Sequence, residues 1–105
     1  MELIEIRITA PDPEVADRIA TRLVHAGLAA CVQQLPGISS TYVWEGRVER
    51  AEEVLLLVKT ASDRFDDVCA AAIDIHPYDT PEILAVPVSH AEHAYRAWVM
   101  ENSRT

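Results

Sequence analysis

The stretch Glu53-Val54-Leu55-Leu56-Leu57-Val58-Lys59 decides how this chain folds. Five consecutive apolar residues between two charges suit a strand in length and composition. A strand with water on one side alternates apolar and polar residues, whereas one that is apolar throughout is usually buried on both sides. The segment therefore predicts a strand that needs cover on each face. The flanking sequence shows how much of that cover the chain can supply.

Upstream, residues 28–35 predict a strand interrupted by Pro36-Gly37, with extended structure resuming over 39–45 through Thr41, Tyr42, Val43 and Trp44. Residues 45–50 contain Gly46 and predict the turn into the apolar strand. At the beginning of the chain, Ile4, Ile6 and Ile8 alternate with Glu5, Arg7 and Thr9, the period of a half-buried strand. Asp12-Pro13-Glu14 then supplies a cap, a first-turn proline and an early acid, which together predict a helix start. Val15, Ile19 and Leu23 form one row of that helix, with Ala16, Ala20 and Val24 beside it, and Gly27 predicts its end.

Downstream, Ser62 predicts the cap of a second helix, with Phe65, Val68, Cys69, Ala72 and Ile73 at helical spacing and Cys69 in the core. His76-Pro77-Tyr78-Asp79-Thr80-Pro81 stops it. Residues 83–86 predict a short fourth strand ended by Pro87. Ser89 and Glu92 have the spacing of a capping box for a third helix carrying Tyr95, Trp98 and Val99. The order is β-α-β-β-α-β with an additional C-terminal helix: an α+β, ferredoxin-like fold in one domain over residues 1–105. Two helices cover one face of such a sheet. The third helix can cover part of the other; either a second subunit covers the rest, the expected case, or the C-terminal helix folds back and suffices.

Composition narrows the function classes. With 17 acidic residues against 9 Lys and Arg, the net charge is −8. That excludes the basic footprint of a nucleic-acid binder and docking on anionic lipid. The longest apolar run is too short to span a bilayer, and no basic leader precedes the first strand, so no membrane insertion and a cytoplasmic location are expected. Two cysteines in such a chain are expected as free thiols.

The ordered pieces Thr9-Ala10-Pro11, Leu28-Ala29-Ala30-Cys31-Val32, Leu35-Pro36-Gly37, Trp44-Glu45-Gly46, Lys59-Thr60, His76-Pro77-Tyr78 and Thr80-Pro81-Glu82 resemble the CutA-like divalent-cation tolerance family over nearly the whole chain. The resemblance implies a homotrimer similar in architecture to the PII signalling proteins. It also implies copper or another divalent cation, no organic cofactor, and no established reaction. By the same resemblance Cys31, Trp44, Glu53, Lys59, His76, Tyr78 and Glu82 lie in or near a pocket between subunits.

Read from the residues alone, Cys31 is either a soft ligand for copper(I) or zinc or a small hydrophobe in a strand. His76 ends the second helix, where the dipole favours a cation, and reads either as ligand or proton-transfer group or as a capping residue. Tyr78 offers a phenol to the same place or packs its ring on the sheet. Glu53, Lys59 and Glu82 read as pocket charges or as structural pairs. His90 and His93 are expected on one face of the third helix's first turn, and His25 on the surface. Some family members carry a cysteine before Thr-Ala-Pro and two adjacent histidines before Pro-Tyr; here Ile8 and Ile75 stand in those places. The metal reading thus rests on His76 and Cys31. A non-catalytic signalling or partner-anchoring trimer is the alternative. An enzyme using Cys31 or His76 ranks last, because no nucleophile–base–orienter series is present.

Overall fold

In the computed structural model, which describes residues 2–104, the elements run β1 (Leu3–Ala10), α1 (Pro13–His25), β2 (Cys31–Trp44), β3 (Arg47–Ala61), α2 (Phe65–Ile75), β4 (Ile83–Pro87) and α3 (His93–Asn102). They form one four-stranded sheet in the order β2-β3-β1-β4, with every neighbouring pair antiparallel. Element order and strand order together define the ferredoxin-like split βαβ arrangement. The apolar stretch lies in β3, an inner strand that bonds to β2 on one side and β1 on the other.

The pleat sorts β3 into two faces. Val54, Leu56 and Val58 are buried with Ile4, Ile6 and Ile8 of β1 under Ala16, Ile19 and Leu23 of α1 and Val68 and Ala72 of α2. On the reverse face Leu3, Ala61 and Val99 are buried where α3 packs against β1 and β3. Farther along that face Leu55 and Leu57 are only half-buried, Leu35 is 47% exposed and Leu84 43% exposed. The third helix covers one end of the second face and leaves the middle open.

Several boundaries differ from the sequence reading, each for a local reason. Strand β2 starts at Cys31 rather than at residue 28, because the Leu28 and Ala29 amides bond back to the Leu23 carbonyl as the chain leaves α1 through Gly27 at φ 71°. The hairpin turn is only Glu45-Gly46, not 45–50. Both residues have positive φ, 50° and 78°, the twist that suits a two-residue hairpin. Pro36-Gly37 does not break β2 but inserts one extra residue opposite β3, a bulge between Leu35 and Ile38.

The second helix is entered through a 3-10 turn over Ser62–Arg64, so α2 begins at Phe65 without the cap assigned to Ser62. Ile73 falls on its outer side, 56% exposed, and Cys69 is half-buried rather than core. Val24 of α1 is likewise turned outward, 44% exposed. Glu92 caps α3 by accepting from the Ala94 and Tyr95 amides, while Ser89 pairs with the His90 ring. The capping box read from Ser89 is therefore replaced by a single carboxylate cap, and those two amide bonds lower the Glu92 pKa. Asp12 does cap α1, accepting from the Val15 amide at 2.9 Å.

Removing a fully buried side chain loses its transfer free energy and leaves a cavity. Leu56→Ala is expected to cost about 2–5 kcal/mol in denaturant unfolding. Val48→Ala, at a position 75% exposed, should stay within about 0.5 kcal/mol. Equal costs would mean that β3 is not the inner strand described.

Candidate functional site

The seven candidate residues fall into two clusters and two separate positions on the chain. At one end of the sheet Cys31 stands opposite Lys59 across β2 and β3, and Lys59 stands opposite Glu5 across β3 and β1. The Lys59 amine donates to Gln33 Oε1 at 2.7 Å and lies 3.5 Å from Glu5 Oε2. Lys59 and Glu5 keep only 15% and 20% of their side-chain exposure, so the pair is partly shielded from water. Arg7 reaches the other Glu5 oxygen at 3.0 Å. From α3 the Tyr95 phenol contacts Cys31, and burial followed by that thiol pushes the Tyr95 pKa up. Tyr95 also stacks on Trp98, with ring centroids 5.8 Å apart.

The second place is the end of α2. His76 caps the helix with extended backbone and is 7% exposed. Its Nε2 lies 2.7 Å from the Thr9 carbonyl, and its Nδ1 accepts the Tyr78 amide at 3.2 Å. A carbonyl can only accept, so Nε2 carries the proton; an amide can only donate, so Nδ1 presents its lone pair. Both ring nitrogens are engaged, and a metal at His76 would displace one of these bonds. The Tyr78 phenol then donates to Glu53 Oε2 at 3.2 Å, and Glu53 is 7% exposed. Burial first, then the charge and hydrogen bond of Glu53, with smaller effects from Tyr42 and Asp12, raise the Tyr78 pKa.

Trp44 and Glu82 join neither group. Trp44 is at the tip of the β2–β3 hairpin, opposite Arg47 and 54% exposed. Glu82 is exposed just before β4. Glu53 and Lys59 are six residues apart on one strand, roughly 20 Å at the strand rise. Metal–ligand bonds are only about 2.0–2.3 Å long, so the Cys31 and His76 of one chain cannot share an ion.

Among the described residues no group of three or more His, Cys, Asp or Glu side chains could hold a metal ion. The positions held by Ile8 and Ile75 are apolar packing sites: Ile8 is fully buried and Ile75 packs against the core. His90 lies outside α3, which starts at His93, so the two do not share its first turn; both are exposed. His25 is exposed, as expected. Sequence reasoning missed Tyr95 as the neighbour of Cys31, and Gln33 and Glu5 as the partners of Lys59. Glu5 follows from the β1–β3 register, and Gln33 from the β2–β3 register once the bulge is known.

The fold and these groups define a ferredoxin-like α+β domain with an open apolar sheet face and two separate polar clusters. The CutA1 divalent ion tolerance protein family matches residues 4–102, and the chain belongs to that family. It is 43% identical to the divalent-cation tolerance protein CutA of Thermus thermophilus over 98 residues, 93% of this chain and 95% of that protein. Identity to the CutA of Pectobacterium atrosepticum is 40% over 103 residues, 98% of this chain and 94% of that protein. The crystal structure of CutA1 from Oryza sativa superposes with a TM-score of 0.96 at 35% identity, covering 99% of this chain and 95% of that one. A structure from Archaeoglobus fulgidus, described as a periplasmic divalent cation tolerance protein, gives 0.94 at 40% identity over 97% and 99% of the two chains.

Raised phenol pKa values in the fold have a defined consequence for alkaline stability. Where the folded pKa exceeds the unfolded one, the unfolded chain binds fewer protons above pH about 10, and stability falls as pH rises. Tyr78→Phe is expected to flatten the loss of stability above that pH and to reduce the late-titrating part of the phenolate absorbance, leaving the share of Tyr95. An unchanged absorbance titration would contradict the Tyr78–Glu53 contact.

Proposed function

We propose that this chain is the subunit of a homotrimeric divalent-cation tolerance protein that takes copper or another divalent cation in a pocket between subunits. The observation that carries this reading is the division of the polar groups on a subunit whose second sheet face is only half covered. Leu35, Leu55, Leu57 and Leu84 leave an apolar strip that association would take out of water, at about 25 cal/mol for each Å². Association could also bring the Cys31–Lys59 end of one subunit near the His76–Tyr78–Glu53 end or the Trp44 tip of another. A thiolate and an imidazole suit copper or zinc.

Family membership supports the tolerance role. Among the described residues no helix is long and apolar enough to cross a membrane. A cytoplasmic location remains part of the proposal; the Archaeoglobus fulgidus relative is described as periplasmic, and cell fractionation distinguishes the two.

One observation favours the second reading, a non-catalytic signalling or partner-anchoring trimer resembling PII architecture. Both His76 nitrogens are already bonded to the backbone, and the ring fixes the loop after α2 without any ion. On that reading the same interface forms, and the pocket groups serve only to hold it.

Native mass measurement is expected to give three times the mass of the chain. Leu57→Asp, which places a charge on the open face, is expected to yield a smaller species with retained helix and sheet signals. A wild-type monomer at micromolar concentration overturns the trimer. Titration calorimetry with copper(II) and zinc should show binding to wild type that Cys31→Ser and His76→Ala each weaken by at least tenfold. A trimer with no metal heat selects the signalling reading, and equal binding by all three proteins removes Cys31 and His76 as ligands.

A further inference from the structure

We draw no further inference here: the strongest candidate, the cleft of about 480 Å³ that Asp12, Glu52 and Glu53 line together with Pro11, Pro13 and Pro36 beside the β2 bulge, is a cluster of carboxylates in which Asp12 already caps α1 and the buried Glu53 already accepts from Tyr78, so nothing in the structure points to a ligand for it.

Discussion

The structure depends on one strand being apolar on both sides. Val54, Leu56 and Val58 bind the sheet to α1 and α2, and that interface forms the core. Leu55 and Leu57 point the other way, where α3 reaches only the Leu3–Ala61 end. Among the described residues no further element lies over them. Exposure of a contiguous apolar strip is uncommon on a monomer and marks an interaction surface. The proposed association would thus answer to how one strand is written, before any question of ligand arises.

The same strand separates the polar groups. Lys59 and Glu53 bracket the apolar run, and each gathers a cluster at its own end: Cys31, Gln33, Glu5 and Tyr95 around the lysine, Tyr78 and His76 around the glutamate. Partly buried charges need partners, because removing a charge from water without one costs several kcal/mol. Lys59 and Glu53 have them within the subunit. Both clusters are therefore internally satisfied, and a ligand must compete with bonds that already exist.

The bulge at Pro36-Gly37 links the hairpin to the site. Counted back from the Glu45-Gly46 turn without a bulge, Cys31 would face Thr60 and point toward the helices. With one inserted residue it faces Lys59 instead, on the side occupied by α3. A shift of one residue exchanges the two faces of a strand. Gly37, at φ 73°, accommodates the backbone there. A single insertion thus places a thiol beside an amine and a phenol instead of in the hydrocarbon core.

Much of the fold was legible in the sequence because its signals are local. The alternation of Ile4, Ile6 and Ile8, the Asp12 cap, Gly27 and the proline-bounded loop after α2 each act within a few residues. The apolar run required cover on both faces of its strand, and the motifs in their order carried the family. Ser89 misled because Glu92 can cap a helix alone, and Ser62 because a 3-10 turn intervenes before α2. Only the tertiary structure decided that Cys31 and His76 lie at opposite ends of the sheet, that Tyr95 meets Cys31, and that both nitrogens of His76 are bonded to backbone groups. Those facts depend on strand register, on one bulge and on the path of α3. They arise from contacts between residues distant along the chain, which no local pattern encodes.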